Sequence, residues 1–126
     1  MLAGTAFLLK KSEVLFNHLW IILLDSEPSH RTIMVNLTSK KPNISQDLTT
    51  VLSPGEHDCI TQESIVYYSD ARFVQTNLVE KSIEIGIGVL KNRCSQQMLL
   101  KIQSDLLKSD FTPPDIKEYF RARTNP

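Results

Sequence analysis

Residues 17–39 read NHLWIILLDSEPSHRTIMVNLTS. Two apolar runs, Leu19–Leu24 and Ile33–Leu37, flank a polar insert with turn chemistry at Asp25, Ser26, Pro28 and Ser29. Each run is short and rich in β-branched and aromatic side chains. That favours strands, because a helix of comparable burial usually needs about ten residues or more. The runs are near-continuous rather than alternating, so both faces of each strand are expected to be covered. The stretch therefore predicts the central hairpin of a small barrel or sandwich. Its polar ends, His18 before the first strand and Thr38 with Ser39 after the second, are expected to lie near each other.

On the N-terminal side, Gly4–Leu9 (GTAFLL) reads as an opening strand, and residues 10–17 read as a loop. On the C-terminal side, residues 39–48 are polar, carry Pro42 and lack a period, so a loop is expected there, with Lys40 and Lys41 as a compact basic pair. Thr49–Leu52 reads as a short strand closed by the turn Ser53-Pro54-Gly55. Ser64–Tyr68 has strand propensity, and residues 70–74 continue it. Residues 80–90 alternate, with Ile83, Ile85, Ile87 and Val89 on one face, which predicts a half-buried strand; Gly86 and Gly88 suggest a bend or a close backbone approach. Ser95–Lys108 then places Met98, Leu99, Ile102, Leu106 and Leu107 at helical spacing behind Ser95 as N-cap. Pro113-Pro114 interrupts, and Asp115–Arg121 supports a last short helix before a tail. The expectation is one domain over residues 1–126, mainly β with a C-terminal helix: five to seven strands over residues 4–90 form a small SH3-like barrel, the helix spans 95–108, and a short helix and tail fill 109–126.

Composition narrows the function classes. A chain of 126 residues holds one real core. Lys plus Arg equals Asp plus Glu at 14 each, so no global field draws the chain toward nucleic acid or an acidic membrane. Cys59 and Cys94 form no CxxC and no His/Cys cluster, which argues against zinc and against a disulfide framework and points to the cytoplasm. No metal or other cofactor is expected. No stretch approaches the ~20 apolar residues of a membrane span. The N-terminal run lacks the leading positive charge of a signal peptide and reads as a strand.

Laid out in this order, the chain resembles the PemK/MazF toxin family of SH3-like barrels, whose known members cut mRNA. GTAFLL resembles the family's opening strand, HLWIILL its second, and IMVNLTS a third strand ending in Thr-Ser. SIVYYSDARFVQTNLVEK resembles an apolar strand followed by an acid-x-Arg pair, and IGVL followed by a helix resembles the family's end. The resemblance covers about residues 4–108. It implies a metal-free endoribonuclease acting on single-stranded RNA, neutralised by a small antitoxin protein and working as a homodimer. The family's essential Arg before the second strand falls at or near His18, its hydroxyl on Thr38 or Ser39, and its pair of an acidic and a basic residue on Asp70 and Arg72. The family's Arg-Pro pair is absent, and Asn17-His18 stands in its place. That departure points either to altered chemistry or to a non-catalytic SH3-like module that binds a protein or peptide.

RNA cleavage without a metal needs a base for the ribose 2′-hydroxyl, an acid for the leaving oxygen and a cation for the phosphorane charge. His18 and His57 are of the type that trades protons near neutral pH. Arg31 or Arg72 suits a phosphate, Asp70 suits orientation of either, and Thr38 or Ser39 suits donation to a phosphate oxygen. Lys40, Lys41 and Tyr67 suit RNA binding, the tyrosine by stacking a base. Each has a plainer role as well. His18 and His57 fit satisfied structural histidines, Asp70 with Arg72 fits a surface pair, Trp20 fits the core, and Lys40-Lys41 fits a solvated loop.

Overall fold

The computed structural model describes residues 1–11 and 14–124, and side chains outside residues 10–17. Among the described residues the elements run β1 (Ala6–Lys11), β2 (Val14–Ile22), β3 (Arg31–Ser39), β4 (Val51–Leu52), β5 (Ser64–Val66), β6 (Arg72–Gln75), α1 (Thr76–Glu84), β7 (Gly88–Lys91), α2 (Gln96–Lys108) and α3 (Pro114–Thr124). The expected hairpin is β2 and β3, antiparallel through Trp20↔Asn36, Ile21↔Val35 and Ile22↔Met34. It occupies the middle of the sheet, whose order is β4-β5-β3-β2-β1-β7. Part of the loop expected at 10–17 is strand: β1 runs through Lys11 and β2 starts at Val14, while Ser12 and Glu13 lie outside the described residues.

β3 is the hub. Its first half pairs with β6 through Met34↔Arg72 and Ile33↔Phe73, and its last three residues pair with β5 through Leu37↔Val66 and Thr38↔Ile65. The strand expected to continue from 64 to 74 is therefore two strands, separated by a 3₁₀ turn at Tyr68–Asp70. That turn is pinned from below by Tyr68, which is fully buried. Its hydroxyl lies 3.0 Å from the Ile102 carbonyl and 2.6 Å from Thr50 Oγ1, and Thr50 in turn donates to Asp105. Burial drives the Tyr68 phenol well above its ordinary range, so it stays a neutral donor.

Helices cover both faces of the sheet. On one face Ala6, Leu19, Ile21, Ile33, Val35 and Leu37 pack with Met98, Leu99, Ile102 and Leu106 of α2 and with Ile116 and Phe120 of α3. On the other, Phe7, Trp20, Ile22 and Met34 pack under Val79 and Ile83 of α1. This two-sided cover explains why both hairpin strands read as continuous apolar runs. Ser95 caps α2 as expected, its Oγ accepting from the Met98 N–H at 3.1 Å.

Two further expectations are corrected. The strand expected over 80–90 is the end of α1, a turn and β7. Ile83, Ile85 and Ile87 alternate by coincidence, while Val79 and Ile83 are one helical turn apart and share a buried face. The helix stops at Gly86, which has φ of 85°. The Gly86 N–H reaches the Ile83 carbonyl and the Ile87 N–H reaches the Ser82 carbonyl, the paired bonds of a Schellman ending. The bend is thus where the glycines were, and Gly88 is also a close approach, since a Cβ there would stand 2.7 Å from Ser82 Oγ.

The sheet also does not close into a barrel. Among the described residues β4 and β7 are its two ends and do not pair. With two and four residues, they are too short to meet. The loop after β4 crosses the gap with side chains instead. His57, 7% exposed, donates from Nε2 to the Asn92 carbonyl at 2.6 Å while its Nδ1 accepts the Cys59 N–H at 3.0 Å. Asn92 also donates to Asp58. Among the described residues no helix is long and apolar enough to cross a membrane.

Replacing Gly86 with alanine forces a side chain into left-handed backbone and is expected to cost about 1–2 kcal/mol in urea unfolding. An unchanged midpoint would contradict the helix ending described.

Candidate functional site

α1 covers only part of its side of the sheet. Beyond it, the residues in step with the buried Trp20 and Asn36 form a shelf on that face. Register places Thr38 two residues along β3 from Asn36 on the same face, and His18 two residues along β2 from Trp20. Arg72 joins from β6 opposite Met34. Neighbouring strands lie ~4.8 Å apart and same-face residues ~6.7 Å apart along a strand, so His18 and Thr38 are neighbours while the His18 and Arg72 backbones stand roughly 16 Å apart on the same face.

The shelf has a fixed core. Asn36 is 3% exposed and donates through Nδ2 to one oxygen of the Asp70 carboxylate. The other Asp70 oxygen pairs with Arg72 Nη2, and Arg72 Nε donates to the Asp70 carbonyl at 3.3 Å. The guanidinium carbon stands 4.9 Å from the centre of the Trp20 ring. Carboxylate and ring thus hold a planar cation from two sides, which limits the rotamer freedom a surface arginine would otherwise have. Asn36 Oδ1 is buried without a hydrogen-bond partner. An unmade bond of this kind costs roughly 1–3 kcal/mol, which is unusual in the middle of a central strand.

His18 sits where β2 and β3 part. The ladder ends at Trp20↔Asn36, and the Leu37 carbonyl, which would meet Leu19 if it continued, instead lies 3.2 Å from His18 Nδ1. A carbonyl only accepts, so Nδ1 carries a proton in this contact. Tyr67 follows β5 with its N–H on the Asn36 carbonyl at 2.9 Å, and the residue is 47% exposed.

The structure thus places His18, Thr38 and Arg72 on one face of the sheet, pairs Arg72 with Asp70 and sets Tyr67 beside Thr38. It separates the others. Arg31 projects from the opposite face, its guanidinium 4.0 Å from the Phe73 ring centre and 4.9 Å from that of Tyr119. His57 is spent on the bridge between β4 and β7, with both ring nitrogens engaged. Ser39 faces away from Thr38 and accepts from Gln62 at 2.6 Å, and Lys40 pairs with Glu63 at 3.7 Å. Lys41 lines a groove beside Thr38 and Tyr67. The sequence reading did not single out Asn36, and it placed Trp20 in the core by default with base stacking as the alternative. The available signal was a lone amide inside an apolar strand, in step with Thr38.

The loop of residues 40–48 is ordered by its own side chains. Gln46 accepts from the Lys41 N–H at 2.8 Å and donates to the Ser39 carbonyl at 3.1 Å. Asp47 accepts from Ser109 Oγ at 2.6 Å and from the Thr49 N–H at 3.0 Å. Burial pushes the Asp47 carboxyl up, but the bonds from Ser109 and Thr49 outweigh it and hold the group below its ordinary range. Burial pushes the Cys94 thiol up to about 11, which makes it a poor nucleophile. Among the described residues no three His, Cys, Asp or Glu side chains are placed to hold a metal ion.

Comparison with protein-family models, with curated proteins and with solved structures gave no match.

Two outcomes follow from this geometry. Asn36→Val removes the bare oxygen and supplies a good strand former. It is expected to leave the melting temperature unchanged or higher, and a loss above about 2 kcal/mol would show that the amide serves the fold instead. Asp47→Asn is expected to destabilise at neutral pH. Because the folded pKa is depressed, the Asp47 contribution is present above the ordinary value of 3.8 and vanishes as pH falls through the native value. The gap between variant and parent in pH-dependent unfolding should therefore close below that pH and nowhere above it.

Proposed function

We propose that the chain is a metal-independent endoribonuclease acting on single-stranded RNA, in the manner of the PemK/MazF family it resembles. The observation that carries this reading is that His18, whose Nδ1 faces the Leu37 carbonyl, and Arg72, held by Asp70 and Trp20, lie on the same face of the sheet. His18 Nε2 removes the proton from a ribose 2′-hydroxyl, and the 2′ oxygen attacks the adjacent phosphorus. The bond from phosphorus to the 5′ oxygen breaks, that oxygen leaves with a proton from solvent water, and the hydroxide so formed takes back the proton held on His18. The products are a 2′,3′-cyclic phosphate and a 5′-hydroxyl end. Arg72, oriented by Asp70 and Trp20, offsets the charge that gathers on the phosphorane oxygens. The Thr38 hydroxyl donates to one of them. Asp70 acts through Arg72 and is a positioning residue.

This reading carries with it a cytoplasmic setting, a homodimer and a small antitoxin protein that covers the shelf. His18 in place of the family's arginine moves proton transfer onto an imidazole.

The rival reading, a non-catalytic SH3-like module for a protein or peptide, draws on the zero net charge and the missing Arg-Pro pair. It predicts no cleavage and no salt-dependent RNA binding.

The test is cleavage of a single-stranded RNA in EDTA. His18→Ala and Arg72→Ala are each expected to lower kcat/KM by about 10²-fold or more, with Arg72→Lys recovering little of the loss. His57→Ala is expected to lower stability while leaving kcat/KM of the folded fraction near parent. No cleavage by the parent protein would sink the enzymatic reading.

A further inference from the structure

A groove of about 380 Å³ begins at Thr38 and runs between the 40–48 loop and the Tyr67–Ser69 backbone. Its walls include Lys41, Ile44, Tyr67 and, from the turn between α2 and α3, Phe111. We infer that this groove is a nucleobase subsite, which takes an unpaired base next to the phosphate held at Thr38 and Arg72. The inference rests on the ribonuclease reading for the position of that phosphate.

Three observations select a base as the occupant. Two aromatic rings line one small groove and remain largely exposed, Tyr67 at 47% and Phe111 at 61%. Exposed aromatic rings beside a cation are how sequence-tolerant single-strand sites hold bases, with each stack contributing about tenfold or more in affinity. Second, the charges suit a base inside and a phosphate outside. Asp47 stands on the wall as an anion, which repels a phosphate and accepts from an exocyclic amine. Lys41 has no carboxylate within ion-pair distance among the described residues, so it is available to the backbone. Third, the groove is built before any ligand arrives. Gln46 and Asp47 tie the loop to Ser39 and Ser109, and Ser109 Oγ also accepts the Phe111 N–H at 3.1 Å. One serine therefore fixes both the loop wall and the strand of chain that carries the aromatic wall.

Phe111 belongs to the segment that the family resemblance does not reach, so this wall is a feature of the chain itself. Its side chain contributes little to the core, and its removal should leave the fold intact.

The experiment measures binding and cleavage separately. Fully 2′-O-methylated octamers, which lack the attacking hydroxyl, are compared with abasic octamers of the same charge by fluorescence anisotropy. The parent protein is expected to bind base-bearing octamers at least tenfold more tightly than abasic ones. Phe111→Ala and Tyr67→Ala should each erase most of that difference and leave abasic binding unchanged. Lys41→Ala should weaken both octamers alike and reduce the salt slope by about one. A Phe111→Ala variant that binds the base-bearing octamer like the parent, or loses equally on both, overturns the subsite, as does an absence of base-dependent binding. Base-dependent binding by a protein that leaves the corresponding RNA octamers uncut in EDTA keeps the subsite and removes the nuclease.

Discussion

A β-strand has two hydrogen-bonding edges, and β3 fills them with three partners. β6 and β5 share the edge away from β2, one after the other, and β2 holds the near edge only as far as Asn36. The turn of chain between β5 and β6 has to stand out of the sheet, and it carries Tyr67 and Asp70 with it. At the same point β2 parts from β3, and the orphaned Leu37 carbonyl is met by the His18 ring. Backbone carbonyls inside a protein must be paired, so the split determines which histidine nitrogen is protonated. The shelf is thus a consequence of how one strand distributes its hydrogen bonds.

Around that split the molecule trades some stability for arrangement. The bare oxygen of Asn36 is a cost in the centre of the sheet, set against a charge-assisted bond to Asp70. Arg72 is held by a carboxylate and a ring rather than by burial, so it keeps its charge at the surface. Beneath, Tyr68, Thr50 and Asp105 form a buried chain of hydrogen bonds that ties the projecting turn to α2. The core on the α2 and α3 side holds the sheet, and the polar chain sets the height of the turn above it.

Much of the fold was legible where the signal is local. The two runs at 19–24 and 33–37, the Ser95 cap and the leucine stripe after it each report their own surroundings. Misreadings arose where a short pattern fits two periods: Val79 and Ile83 lie on one helical face, yet Ile83 to Val89 also alternates. Closure of the sheet was not legible, because it depends on whether two short end strands meet across the molecule. Among the candidate residues, strand parity and the family resemblance singled out His18, Thr38, Asp70 and Arg72, which the register keeps on one side of the sheet. Arg31 and His57 have the right chemistry but lie elsewhere, since only the pairing register assigns a residue to a face. Asn36 was overlooked because an amide in an apolar strand reads as tolerated rather than as placed.

The claim that His18 and Arg72 act on the ribose 2′-hydroxyl and its phosphate is tested most directly by the ends of the cut. Mass spectrometry of an oligoribonucleotide cleaved in EDTA should find a 2′,3′-cyclic phosphate on one fragment and a 5′-hydroxyl on the other, and a single 2′-deoxy sugar at the cut should abolish that cut. Fragments bearing a 5′-phosphate, or cleavage that ignores the missing hydroxyl, would contradict the account.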